Sequence, residues 1–357
     1  MTIAWFRAGT PRPADPLDDT ATLIAELQST HDIEVFTVAN AHDFVWKDFR
    51  APYDLSVCEL DDTPDHRFIW PYLLQYGGVL LLRTLRLGDS RAAAFLRVPL
   101  LASRVTVVSH PSVASALRQA HPDARVLSAA TGVRETQKVQ RGQGIQEVQR
   151  GHRAPKTPTT FGAFPGDRLE TVRRALARAR QAGATAEIVA DSSPAHVLQQ
   201  ADVIASLPWP WFGQPQTAAL AAMAAGTPAI VLETPATAEW PALDPQTWRP
   251  RGLSVEAPIA VSIDPRDEEH SLALAIRRLS VDATLRAVLG GRAHAWWRTH
   301  ATPRHAAGDW ERILAEAVAL PAPGHPAGRP GPFAVDIAAD ARAILDEFGV
   351  TVDFLSR

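Results

Sequence analysis

Unbroken apolar runs alternate with amphipathic segments along the first part of the chain. Residues 3–6 (IAWF) read as a strand that ends in a loop of glycine and prolines. Residues 19–29 follow as a helix, with Leu23, Ile24 and Leu27 on one face. Further strands are predicted at 33–38, 54–58 (DLSVC), 79–83, 105–109 and 126–127. Helices are predicted at 68–76, 89–96 and 111–119, the last opened by Pro111 in its first turn. Fully apolar strands separated by helices predict a parallel sheet covered on both faces.

Residues 134–160 break this pattern. The segment RETQKVQRGQGIQEVQRGHRAPKTPTT repeats VQRG at 139 and 148 and carries Gln, Arg and Gly where a core would need apolar side chains. It reads as a linker or surface insertion, with a basic contact surface as the sharper alternative. The alternation then restarts. Strands are predicted at 161–164, 186–190, 203–207, 229–232 and 259–261. Helices are predicted at 168–182, 194–200, 269–279, 281–289, 293–300 and 304–318. A Pro/Gly-rich stretch (LPAPGHPAGRPGP) leads to a last predicted helix at 335–348.

The expected organisation is an α/β chain with two open sheets. Residues 1–133 form a first Rossmann-like domain and 134–160 a linker. Residues 161–303 form a second Rossmann-like domain, 304–320 a helix closing back on the first, and 321–357 a tail. Length agrees, since 357 residues exceed one ordinary core and suggest domains of roughly 150 each.

Composition narrows the function classes. The hydrophobic fraction is 46% and the net charge −3, so no global basic surface points to nucleic acid. Cys58 is the only cysteine, which excludes an internal disulfide and a cysteine-based zinc site and suits a reducing cytoplasm. The N-terminal sequence shows no cleavable apolar core, and no apolar run reaches the ~18 residues of a membrane span. The expectation is a cytoplasmic protein; composition leaves attachment to a membrane surface and homo- or hetero-oligomerisation open.

Three loops at the carboxyl ends of predicted strands carry candidate chemistry. In WPWFGQPQTAALAAMAAG (209–226), Gly213 permits close backbone approach at the entry of an alanine-rich helix. There Phe212, Gly213, Gln214, Gln216 and Thr217 could meet a phosphate at the helix N-terminus. Alternatively, the small residues serve helix–sheet packing alone. In FGAFPGDRLE (161–170), the turn at Gly166 puts Arg168 at the helix entry, where it could bind a diphosphate, or it is one of several solvated arginines on that helix. In DDTPDHRFIWPYLLQYGG (61–78), His66 could act as a base beside Asp61, and Trp70 could stack on a sugar. A satisfied loop histidine and a core tryptophan are the plainer alternatives. Neither G-x-x-x-x-G-K-[ST] nor G-x-G-x-x-G is present.

Taken in order, these stretches resemble the retaining, GT4-like group 1 glycosyltransferases of bacteria, over residues 1 to about 318. The resemblance is carried by IAWFRAGTPRPADPLDDTATLIAEL, by PYDLSVCELDDTPDHRFIWPYLLQYGGVLLL, by FGAF, by DVIASLPWPWFGQPQTAALAAMAAGTPAIV and by ETPATAEWP. It implies a GT-B fold, two Rossmann-like domains facing across a cleft. The second domain would hold a nucleotide-diphosphate sugar and the first an acceptor. Transfer would retain configuration, with no metal or other cofactor. By resemblance, His66 and Gln214 are the catalytic candidates. Arg168, Gly162, Phe212, Gly213, Gln214, Gln216, Thr217 and Glu239 are donor candidates, and Asp18, Asp61 and Trp70 lie on the acceptor side.

The departures are equally specific. Where such relatives place two glutamates at the small-residue helix, this sequence offers Gly213 and Gln214 and then Ala221, and a His-Asp pair after the strand at 79–82 is Arg83 and Thr84. Two readings follow: a hexosyltransferase-type enzyme with an altered donor site, or an inactive homologue that binds a partner or ligand. An epimerase of the same fold has no support in these residues.

Overall fold

A computed structural model describes residues 1–86, 92–136, 158–164, 168–190, 193–251 and 256–323, together with Leu345. The first sheet holds β1 (Thr2–Phe6), β2 (Asp32–Phe36), β3 (Leu55–Leu60), β4 (Val79–Leu82), β5 (Val105–Val108) and β6 (Val126–Ser128). All pairings are parallel, in the order β2-β1-β3-β4-β5-β6. Its strands are connected through α1 (Asp19–Leu27), α2 (Ala41–Arg50), α3 (Ile69–Tyr76), α4 (Ala92–Ala102) and α5 (Pro111–Ala120). The second sheet holds β7 (Thr159–Ala163), β8 (Ala186–Val189), β9 (Val203–Ser206), β10 (Ala229–Leu232), β11 (Ala242–Leu243) and β12 (Ala260–Ile263). It too is parallel, in the order β11-β12-β10-β9-β7-β8. Its helices are α6 (Leu169–Gln181), α7 (Pro194–Gln200), α8 (Thr217–Ala224), α9 (Glu268–Val281) and α10 (Ala283–His300).

The apolar strands explain this architecture. Every residue of β4, β5, β9, β10 and β12 is buried, so each sheet must be covered on two faces. Each sheet accordingly has two apolar clusters. One face of the first sheet is closed by α1 together with the final helix α11 (Pro303–Ala319), which is far away in sequence. There Trp310 meets Trp5 at a centroid distance of 5.2 Å, both fully withdrawn from water.

The small-residue helix α8 is buried along nearly its whole length, between β9 and β10 on one side and α10 on the other. A side chain at Gly290 of α10 would come within 2.2 Å of the Gly226 carbonyl oxygen, so glycine is required for that approach. This corrects one expectation. The helices expected at 281–289 and 293–300 are one continuous helix, α10, because Gly290 serves close packing rather than a break; Val281 instead ends α9. Two elements were not expected at all. Helix α2 has only Ala41 and Phe44 buried, exposes Val45, Trp46 and Phe49, and lacks a side-chain N-cap, so its apolar residues do not mark the buried face. Strand β11 is two residues long. The helix expected at 89–96 instead spans Ala92–Ala102. Both VQRG repeats, Gly166 and the tail helix expected at 335–348 (Leu345 apart) lie outside the described residues.

Candidate active site

In open parallel sheets, ligands gather where the strand order reverses, beyond the carboxyl ends. In the first sheet this point lies between β1 and β3, and a cavity of about 330 Å³ opens there. Its floor is a network of charges. Arg7, which follows β1, donates through Nη2 to both carboxylate oxygens of Asp18 at 3.0 and 3.2 Å. Arg83, which follows β4, makes a bidentate pair with Asp19 at 2.7 and 2.8 Å. Glu59, within β3, lies between them, with Arg83 Nε at 3.6 Å and Arg7 Nε at 3.7 Å, and accepts a bond from Thr20 Oγ1 at 3.1 Å. Burial pushes the Glu59 carboxyl up, against the opposing charges of Arg83 and Arg7. Burial works against the Arg83 charge, but Asp19 and Glu59 outweigh it and the guanidinium pKa is raised.

His66 closes one side of this cavity, at the end of a 3₁₀ turn over Pro64–His66. Its Nδ1 is 2.7 Å from Thr63 Oγ1, and no described residue bonds to its Nε2. Burial lowers the imidazole pKa below its ordinary value, with Asp61 opposing, so a neutral ring with a free nitrogen faces the cavity. Of the acceptor-side candidates, Asp18 and Asp61 line the cavity and Trp70 does not. Asp18 is already engaged, since it caps α1 by accepting from Ala21 N at 2.9 Å in addition to pairing with Arg7. Trp70 packs against the apolar cluster of the first sheet, the plainer of its two expected roles.

The loop before α8 is held by the other sheet. Leu85 N donates to the Phe212 carbonyl at 2.6 Å, and Ser109 Oγ donates to the Gly213 carbonyl at 2.9 Å. Gly213 has φ of 90°, a conformation that a side chain would strain. The carboxyl ends of β4 and β5 thereby grip the loop that follows β9. Beside this contact lies a cavity of about 150 Å³ lined from both sheets, by Ser109, His110 and Thr131 on one side and Gln214, Gln216, Trp240, Trp296 and His300 on the other. Gln216 is 6% exposed, sits at the N-cap of α8, and its Nε2 is buried without a hydrogen-bond partner. Trp296 stacks on His300 at 4.7 Å and tilts against Trp240 at 5.5 Å, giving the cavity an aromatic wall.

The remaining candidates divide clearly. Gln214 lines this cavity, but its Oε1 already accepts from Phe212 N at 2.5 Å. Thr217 is the first residue of α8. Phe212 contributes its carbonyl to the inter-sheet contact, and its ring lies 5.7 Å from the Arg86 guanidinium. Glu239 is exposed and does not line the cavity, where its neighbour Trp240 does. Its charge acts on His110, whose pKa burial lowers and Glu239 pushes back up. Gly162 is a packing glycine, because a Cβ there would meet Ile204, Ala201 and Val197 at 2.6–2.8 Å. Arg168 is the N-cap residue of α6 and pairs at 2.7 Å with Glu268, whose side chain is 8% exposed. It does not line the cavity beside Gln216. Sequence reasoning missed Arg7, Glu59 and the aromatic wall. The available signals were a carboxylate inside the apolar run LSVCEL and an arginine directly after IAWF. Among the described residues, no group of three or more His, Cys, Asp or Glu side chains is arranged to hold a metal ion.

Sucrose-phosphate synthase from Thermosynechococcus elongatus is similar over 88% of this chain and 98% of its own, with a TM-score of 0.62 and 13% identity. Anabaena HepE, solved in complex with UDP and glucose, is similar over 88% and 99%, with a TM-score of 0.57 and 13% identity. The chain has the GT-B fold. S. aureus TarM matches over 76% of this chain at a TM-score of 0.55 and 10% identity, and the chain spans only 58% of that GT-B structure's length. No protein-family model and no curated protein matches the sequence. At these identities the likeness establishes the GT-B architecture, and activity has to be argued from the site.

Proposed function

We propose that this GT-B chain is a glycosyltransferase. It moves a sugar, with retained configuration, from a nucleotide-diphosphate donor at the N-terminus of α8 to an acceptor in the first-sheet cavity. The observation that carries this reading is the grip of β4 and β5 on the Phe212–Gly213 carbonyls, which brings the carboxyl ends of both sheets to one cleft. HepE, which shares the fold, has been solved with UDP-glucose.

The roles follow from the groups present. The first N–H groups of a helix have no intrahelical acceptor and offer partial positive charge to a leaving diphosphate. The unpartnered Gln216 amide adds a donor at the same place. His66 Nε2 is the group that accepts the proton of the acceptor hydroxyl, with Thr63 fixing the ring through Nδ1. The donor side works without a metal in this reading. No described helix is long and apolar enough to cross a membrane, and the proposed setting is the cytoplasm.

The test is a thermal-shift titration with UDP-, GDP- and ADP-sugars, followed by NMR of the anomeric proton in any product. A ligand at 100 times its Kd stabilises the native state by about 2.7 kcal/mol, which is easily seen. Absence of a shift with every nucleotide sugar at millimolar concentration overturns the proposal. Binding with no transfer to any acceptor would instead establish a ligand-binding module.

A further inference from the structure

We infer that the first-sheet cavity selects an acceptor carrying a protonated amine beside its reacting hydroxyl, an amino sugar or an amino polyol; this rests on the acceptor-side reading above. The cavity is lined by five carboxylates (Asp15, Asp18, Asp19, Glu59 and Asp61) and three guanidiniums (Arg7, Arg12 and Arg83). The pairing is unequal. Arg7 is matched to Asp18 and Arg83 to Asp19, while Glu59 is shared between both arginines at 3.6–3.7 Å, beyond hydrogen-bond reach, and its Oε2 has no hydrogen-bond partner. Asp61 accepts only from the Asp62 backbone through Oδ1, and its Oδ2 has no partner among the described residues. Arg12 is exposed, so water screens its charge.

Glu59 already faces two guanidiniums, and Arg7 keeps Nε and Nη1 without a hydrogen-bond partner, so the unmatched negative charge beside His66 is that of Asp61. That histidine is 9% exposed and lines the same space, and its Nε2 has no partner among the described residues. A ligand suited to these groups donates a hydroxyl proton to the imidazole and places a cation near Asp61, away from the two guanidiniums that flank Glu59. A neutral sugar leaves that charge unmatched, and a sugar acid adds to it.

The test measures binding to the full chain without any donor, so it does not depend on transfer. Glucosamine, N-acetylglucosamine, glucose and glucuronate are titrated at neutral pH by calorimetry or ligand-observed NMR. Glucosamine is expected to bind at least about tenfold more tightly than glucose, a difference of about 1.4 kcal/mol. N-acetylglucosamine, which keeps the nitrogen and loses the charge, is expected to fall to the level of glucose. Asp61→Asn removes no ion pair or hydrogen bond to Arg7 or Arg83, only a weaker charge interaction with Arg83, and should erase the preference with little change in melting temperature. Equal binding of glucosamine and glucose, tighter binding of glucuronate, or no binding of any of the four at tens of millimolar overturns the inference. Amine selectivity without nucleotide-sugar binding would overturn only the transferase reading. Nucleotide-sugar binding without amine selectivity would overturn only this one.

Discussion

The carboxyl ends of the two sheets face one cleft and are built from opposite materials. At the first sheet, two arginines and three carboxylates interlock on the floor of a cavity with a neutral histidine beside them. At the second, the loop before α8 presents glycine, glutamine and backbone groups, and the cavity beside it is walled by tryptophans and lined by no Lys, Arg, Asp or Glu. A charged network fixes side chains in place but is costly to break. A helix N-terminus backed by small residues offers charge with no side chain at all. In the proposed transferase, acceptor discrimination would therefore lie in side chains at the first sheet, and the donor would be gripped mainly by backbone and the buried Gln216 amide.

The largest expected effect comes from breaking the charged side. Arg83→Ala leaves Asp19 without its cation and Glu59 with Arg7 alone, and should cost about 3–5 kcal/mol in chemical denaturation, as for other buried pairs that lose one partner. On the same side, His66→Ala should lower kcat by about 10²–10⁴ if the imidazole is the base. The pH profile follows from burial. Because the folded pKa lies below its ordinary value, the ring stays neutral until the pH falls below that lowered value. The rate should therefore rise with pH through a point below 6.5 and then level off. The stability share of the neutral ring has the same sign. It is present above the unfolded pKa and lost as pH falls through the folded one.

On the neutral side the effects should be smaller and of mixed sign. Gln216→Leu removes a buried amide that has no partner, so the free protein should hold its stability or gain up to about 1 kcal/mol, since an unpaired buried group is itself a cost. Affinity for the nucleotide sugar should fall about tenfold in the same variant, near 1.4 kcal/mol. Equal losses in both measurements would show a structural role instead. Arg168→Ala sharpens the contrast further. Arg168 is spent on Glu268, so the variant should lose about 1–3 kcal/mol of stability through the stranded carboxylate. Its nucleotide affinity should change by no more than about twofold.

The fold was legible because its signal is local. Apolar strands such as VLLL and AIVL read directly, and so did the helices opened by Pro111 and Pro194. Helix α2 was not legible, because its outer face exposes Trp46 and Phe49 and no side chain caps its start. The glycines of α10 misled for a physical reason. Gly290–Gly291 resembles a break in sequence, yet Gly290 is where α10 presses on the Gly226 carbonyl. The site was readable only in part. His66, Gln214 and Gln216 stand on loops that sequence could single out. The network joining Arg7, Asp19, Glu59 and Arg83 depends on strand order, which places the ends of β1, β3 and β4 side by side. Arg168 and Gly162 looked like ligand residues because their partners, Glu268 and the Val197–Ala201–Ile204 cluster, arrive from distant segments.

Donor binding at the start of α8 decides whether this chain is a transferase. The most direct measurement is calorimetric titration of the wild-type chain and Gln216→Leu with the nucleotide sugar that gives the largest thermal shift. The expected result is saturable binding by the wild type, weakened about tenfold in the variant, whose melting temperature is unchanged or higher. Identical affinity in the two proteins, or no heat of binding in either, would contradict it.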